Sequence, residues 1–325
     1  MAHDINKMIY VGEMPWHGLG VPLPARASYE DIVQAAGFYV AVEKDVYVPP
    51  LRGPIPDRKA LVRSDTGEYL SLVSKSYEVV QFSEVARTLV EAAGDVKAVF
   101  TTAGTLGPVG IKGWLLGEIP NPIKVKGDPS PIRKYVLGTT GHDGVTAVVL
   151  KNVATRVVCA NTLGVALGER GGATWRIQHT ANAKMRLDEA GKAFRQLVES
   201  YERLGELANV LAVTPFTTRQ MKATIDRLMP VPKDDRDHTK PEAERGKVIR
   251  LFDTAAAIER VRGTAWAALQ GWTEYADHHR QVRDTGREDP RRARLASVWM
   301  GRAAAIKQAA LAAIADEARL ELTAA

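Results

Sequence analysis

The chain has 325 residues, 45% hydrophobic and 25% charged, the balance of a soluble globular protein with material for one large domain or two ordinary ones. No apolar run approaches the length of a bilayer span and the first residues lack the charged-then-apolar layout of a signal peptide, so a cytoplasmic protein without membrane contact is expected. One cysteine excludes an internal disulfide framework and any zinc site built on two or more thiolates.

The formal net charge of +6 is unevenly spread. Residues 151–325 hold 29 Lys and Arg against 22 Asp and Glu, whereas residues 1–150 hold 15 against 16. The excess positive charge therefore lies in the C-terminal half, which suits a polyanion such as nucleic acid.

In chain order, residues 28–38 predict a short helix, with Ser28 as N-cap, acidic residues in the first turn and Gly37 as its stop. Residues 38–48 alternate like a strand that the proline-rich stretch 49–56 breaks. Strands at 59–63 and 69–73 flank Ser64-Asp65-Thr66-Gly67, a hairpin turn. A helix over 83–93 ends at Gly94. Strands at 96–101, 109–116, 134–140, 145–150 and 155–160 predict an antiparallel meander, with a helix starting near Asn161 packed on one face. Apolar residues three and four apart predict a long helix over 179–211. Pro215 interrupts it, and a further helix over 217–228 is capped by Thr217 or Thr218. A charged linker at 233–247 precedes helices over about 242–279 and 291–322. The expected class is α+β: an antiparallel β-meander with packed helices in the N-terminal half, then a mainly helical C-terminal half. The expected domains are an α+β core at 1–211 and a helical region at 212–325.

The chemistry-bearing residues concentrate in residues 135–180. His142-Asp143 superficially matches the metal-binding pair of helical phosphohydrolases, but lies between two strands and two glycines, where Asp143-Gly144 suits a hairpin turn. His17, His142 and His179 lack helical i, i+4 spacing, which is weak evidence for a metal site. Cys159 lies in an apolar strand, where a free thiol packs as a small hydrophobe. No phosphate-binding glycine loop precedes a helix, so neither metal nor nucleotide cofactor is expected. Asn161 and Thr162 read as caps of the next helix, whose positive end would suit an anion.

Pro15-Trp16-His17-Gly18-Leu19-Gly20, His142-Asp143-Gly144, the run RVVCANTL at 156–163, His179-Thr180, and the late Gly263-Thr264-Ala265-Trp266 and Tyr275-Ala276-Asp277-His278 stand in this order. In these motifs the chain resembles the phage/plasmid-like protein family, catalogued as a domain of unknown function and carried by bacteriophages, prophages and conjugative plasmids. The resemblance covers nearly the whole chain, with RVVCANTL its most specific segment. It implies a mobile-element protein working in the cytoplasm of a bacterial host cell; it implies no reaction and no catalytic residues.

Nucleic-acid binding accounts for more of the sequence than catalysis does. Arg156, Arg170, Arg176, Lys184 and Arg186 surround the central motif, with Trp175 beside Arg176, while Lys124, Lys126, Arg133 and Lys134 flank the meander. Cations neutralise phosphates and exposed aromatics stack on unpaired bases. A solvated charged surface with Trp175 in the core is the competing reading, and salt bridges explain the arginines of 280–294 as well as DNA does. Trp266, Trp272 and Trp299 fit helix packing better than base stacking. The expectation is a non-enzymatic, homo-oligomeric protein that prefers single-stranded DNA and acts in recombination or strand annealing. The alternatives are a metal-dependent nucleic-acid hydrolase centred on His142, Asp143, Asn161 and His179, or an interaction protein that blocks a host defence enzyme.

Overall fold

The computed structural model describes residues 5–12, 20–24, 27–94, 97–107, 109–156, 161–164, 174–231, 239–255, 258–280 and 302–320. Its class is α+β, with antiparallel sheets in the N-terminal half and mainly helices in the C-terminal half. The strands are β1 (Ile5–Val11), β2 (Val21–Leu23), β3 (Ala41–Tyr47), β4 (Pro54–Arg63), β5 (Tyr69–Ser74), β6 (Val99–Leu106), β7 (Lys112–Ile123), β8 (Ile132–Gly141), β9 (Val148–Arg156), β10 (Asn161–Gly164) and β11 (Thr174–Ile177). The helices are α1 (Tyr29–Ala35), α2 (Phe82–Gly94), α3 (Ala183–Lys192), α4 (Phe194–Val213), α5 (Thr218–Leu228), α6 (Thr239–Thr254), α7 (Ala265–Glu274) and α8 (Arg302–Ala318), with one π-helical turn at Tyr275–His279.

The larger sheet has eight strands in the order β10-β9-β8-β7-β6-β1-β2, with β11 also on β9. The meander β6 to β9 is the one that the alternation predicts. β1 and β2, which the patterning does not predict, extend it: β1 pairs antiparallel with β6, and β2 lies parallel to β1. Gly104 makes the first of these pairings possible. A methyl group there would collide with the Lys7 carbonyl and the Trp114 ring. At the other end, β11 pairs with residues 148–151 of β9 and β10 with residues 153–156. Two four-residue strands thus share one edge, and such short edges limit edge-to-edge association.

Several expectations change here. Asn161 and Thr162 open strand β10 rather than cap a helix, because their backbone pairs with Arg156 and Thr155 instead of turning into i, i+4 bonds. The strands expected at 145–150 and 155–160 run together in β9, which passes through residues 151–154 to Arg156; residues 157–160, Cys159 among them, lie outside the described residues. β7 runs on to Ile123 through Pro120 and Pro122. Pairing with β6 ends at Glu118, so the N–H groups that these prolines lack are not needed on that flank. Lys124 and Lys126 follow the end of this strand.

The helical expectations change in the same manner. Residues 183–213 form two helices that meet at Ala193. Within the expected linker 233–247, α6 already runs from Thr239, with Pro241 in its first turn, where the missing N–H has no helical partner in any case. The helix expected over 242–279 is interrupted: α6 ends at Thr254, and α7 restarts behind the Thr264 cap. Of the last predicted helix, α8 covers 302–318.

The chain divides into two compact units, residues 1–120, 135–151 and 174–198, and residues 121–134, 152–173 and 199–325. In the first, the three-stranded sheet β3-β4-β5 encloses a core of Tyr39, Ala41, Leu61, Leu70, Val73, Tyr77, Val79 and Phe82. Ser28 caps α1 in a capping box with Asp31, and Gly37 follows at φ +74°, both as the sequence predicts. Burying the Phe82 ring alone is worth roughly 2–3 kcal/mol.

In the second unit Trp266 and Trp272 are almost wholly buried, and their indole N–H groups donate to Asp128 (2.8 Å) and Thr224 (3.1 Å). Both are therefore core residues rather than stacking platforms. Thr217, not Thr218, caps α5, in a capping box with Gln220. Lys307 and Asp277 form a buried ion pair at 2.7 Å, Asp277 lying in the π-helical turn.

Candidate functional site

The Gly141–Gly144 turn joins β8 to β9. Asp143 Oδ1 accepts from the Val145 and Thr146 backbone N–H groups (3.0 and 2.7 Å), and its Oδ2 accepts from the Thr146 hydroxyl at 2.7 Å. Gly144 takes φ +77°, which a tight hairpin requires. Partial burial works against the Asp143 carboxylate, yet the Thr146 and Val145 hydrogen bonds and the nearby Lys112 ammonium hold its pKa below the usual carboxylate range. Asp143 is a turn residue with its oxygens committed to the turn.

His142 is fully buried. Its ring stacks on Phe82 (centroids 4.3 Å, 20°), and Nε2 lies 3.2 Å from the Val80 carbonyl. A carbonyl only accepts, so the proton of the neutral ring sits on Nε2. Nδ1 is buried and has no hydrogen-bond partner among the described residues. Burial pushes the ring pKa down to about 4, against the pull of the Val80 carbonyl. His142 is thus a packed, neutral core group.

His179 lies in the connection between β11 and α3. Its Nδ1 is 2.9 Å from the Glu78 carbonyl and its Nε2 is 3.2 Å from Thr140 Oγ1, while its own carbonyl accepts from Glu78 N–H. The ring stacks on Tyr77 at 4.6 Å and 10°. Burial lowers its pKa, although the Glu78 and Thr146 carbonyls favour the protonated form. Hydroxyl, imidazole and orienting carbonyl stand in the sequence of a general-base relay. Thr140 is only 1% exposed, however, so the relay presents no accessible hydroxyl.

Beside this ring pair lies an open hollow of about 200 Å³, lined by Tyr77, Gly144, Val145, Gln178, His179 and Thr180. Tyr77 closes its inner side, donating to the Gly141 carbonyl at 3.1 Å, and burial raises the phenol pKa well above its ordinary value.

Of the predicted binding residues, Trp175 and Arg176 lie in β11 and Lys184 and Arg186 in α3, the elements before and after the 178–180 connection. Trp175 and Arg176 follow one another in β11 and so face opposite sides of the strand: Trp175 is half-buried on the side of Ile177, whereas Arg176 is exposed. Lys184 and Arg186 are exposed in α3, within the span predicted to be helical. Lys184 is held by Glu84 (3.1 Å) and Glu78 (3.6 Å), and the Glu84 hydrogen bond raises its pKa. Among the described residues, Arg176 and Arg186 enter no ion pair. Arg156 ends β9 opposite Asn161, and Arg170 and His17 lie outside the described residues. Among the described residues no three His, Cys, Asp or Glu side chains gather around a point that would hold a metal ion.

The structure therefore brings together His142, Asp143 and His179 but assigns the first two to packing and to the turn. Sequence reading misses Tyr77, Gln178 and Thr140. Tyr77 lies far away in the chain, and no local pattern announces its stack on His179.

Comparison with curated proteins and with solved structures finds no match. A family model described as Domain of unknown function (DUF932) matches residues 69–299, well over half of the chain and all of the hollow. The chain belongs to the DUF932 family.

Proposed function

We propose that this protein binds nucleic acid through the surface of β11 and α3, with a preference for unpaired DNA. It acts as a homo-oligomer in recombination or strand annealing for a phage or another mobile element, in the cytoplasm of the bacterial host. The observation that carries this reading is the pair Arg176 and Arg186. Both are exposed, neither is neutralised by an ion pair among the described residues, and only residues 177–185 separate them. Two exposed guanidinium groups are well suited to phosphate oxygens. Lys184, already held by two carboxylates, adds less.

Such binding needs neither nucleotide hydrolysis nor a metal. Holding a strand extended on a basic surface removes part of the entropic cost of pairing it with a complement. The resemblance of its motifs to proteins of phages and conjugative plasmids supports the mobile-element setting. Fluorescence anisotropy with single-stranded and duplex oligonucleotides at two salt concentrations tests the reading. The expected result is tighter binding to the single strand, weakening with salt, and a salt slope reduced by about one for each arginine replaced by alanine. Absence of salt-sensitive binding refutes the reading. Metal-dependent degradation of the probe points instead to a hydrolase.

A further inference from the structure

We propose that the hollow between the 144–145 turn and the 178–180 connection takes one unstacked nucleobase of a bound strand. The inference rests on the nucleic-acid reading and names the group that the site would hold. Its lining carries no net charge: two aromatic rings, a glycine, a valine, a glutamine and a threonine. His179 joins this neutral set because burial disfavours its protonated form. Such a wall has nothing with which to neutralise a phosphate or a carboxylate, and it lacks the oxygen cluster that a hard cation needs.

What it offers is a rigid, largely buried ring pair at its back and a polar rim at its mouth. The Tyr77 and His179 rings are parallel to within 10°, and each is fixed by hydrogen bonds: the phenol to Gly141, the imidazole to Glu78 and Thr140. Fixed rings lose no rotamer freedom on stacking with a ligand. The exposed Gln178 supplies an amide with both donor and acceptor, matching the edge of a base. Val145, 78% exposed, places an apolar side chain at the mouth, and Gly144 leaves that wall without a side chain. At about 200 Å³ the hollow is smaller than the roughly 300–1,000 Å³ of drug-sized sites, which suits a single ring system.

Its position connects it to the strand. Gln178, His179 and Thr180 lie in the chain between Arg176 on β11 and Arg186 on α3, two exposed cations that enter no ion pair among the described residues.

The test compares an oligothymidylate with an oligonucleotide of equal length and charge made of abasic sites, by anisotropy. Wild-type protein is expected to bind the base-bearing strand at least about five-fold tighter, the ratio that one base–aromatic contact is worth. Gln178→Ala combined with Val145→Ala, both exposed, is expected to narrow that ratio while leaving abasic binding unchanged. Photocrosslinking of a 5-iodouracil strand is expected to label Tyr77 or His179. Equal, salt-sensitive binding of both strands, with crosslinks elsewhere, overturns the base site and leaves the nucleic-acid reading standing. If neither strand binds, that reading fails. A saturable shift of the His179 ring resonance by free adenosine, lost in Gln178→Ala, would then retain the hollow as a nucleobase site, and no shift would remove it.

Discussion

Acidification should weaken this fold through His142, and His142→Gln should remove that dependence. The ring is fully buried, stacks on Phe82, and donates from Nε2 to the Val80 carbonyl. Its Nδ1 has no partner among the described residues, so protonation would create both a buried charge and a buried N–H left without an acceptor there. Burial accordingly depresses its pKa from 6.5 to about 4. Between these values the unfolded chain binds more protons than the folded one, so stability rises with pH across that window. The full contribution is present above pH 6.5 and is lost as pH falls towards 4. At 1.36 kcal/mol per pH unit the loss amounts to about 3 kcal/mol. Glutamine keeps a donor for Val80 but neither titrates nor stacks, so the variant should be about 1 kcal/mol less stable at pH 7. The two proteins should then exchange order between about pH 5 and 6. Urea unfolding followed by circular dichroism at pH 7.0, 5.5 and 4.5 measures this. His179 and the carboxylates titrate in both proteins and cancel in the difference. Parallel stability curves would refute the assignment of His142 as a buried neutral group.

Other substitutions probe the scaffold. Asp143→Ala removes the acceptor for two backbone N–H groups and the Thr146 hydroxyl, and should cost about 1–2 kcal/mol in thermal melts; an unchanged melting temperature would show that the carboxylate does not hold the turn. Gly104→Ala drives a methyl group into the Lys7 carbonyl and Trp114, and should cost on the order of 3 kcal/mol or leave the protein insoluble. Lys307→Met removes the ammonium from a buried carboxylate and should cost about 3–5 kcal/mol in chemical denaturation. Thr217→Ala breaks the α5 capping box for about 1 kcal/mol, read as a small fall in unfolding midpoint.

Where chemistry is local, the sequence is legible. Ser28 and Thr217 announce their helices because a cap is made with residues three positions on, and Asp143-Gly144 announces its hairpin because turn hydrogen bonds span only a few residues. The meander is legible through its period of two. The run around Asn161 misleads, because a polar residue after an apolar strand has the same local pattern whether it caps a helix or opens the next strand. Pairing with β9 decides between them. β1 is missed for a related reason: its place depends on Gly104, almost a hundred residues away, leaving room for it.

The same division holds for the candidate site. Composition and spacing by themselves determine an α+β chain with its excess positive charge in the C-terminal half, and they mark His142, Asp143 and His179 as residues to be explained. Only the tertiary structure decides that His142 is sealed behind Phe82, that Trp175 and Arg176 face opposite ways, and that Tyr77 supplies the second ring at the hollow. Capping and turn formation are short-range, so adjacent residues encode them. Stacking, burial and the pKa shifts that follow are set by neighbours from distant parts of the chain, which come together only when the sheet is assembled.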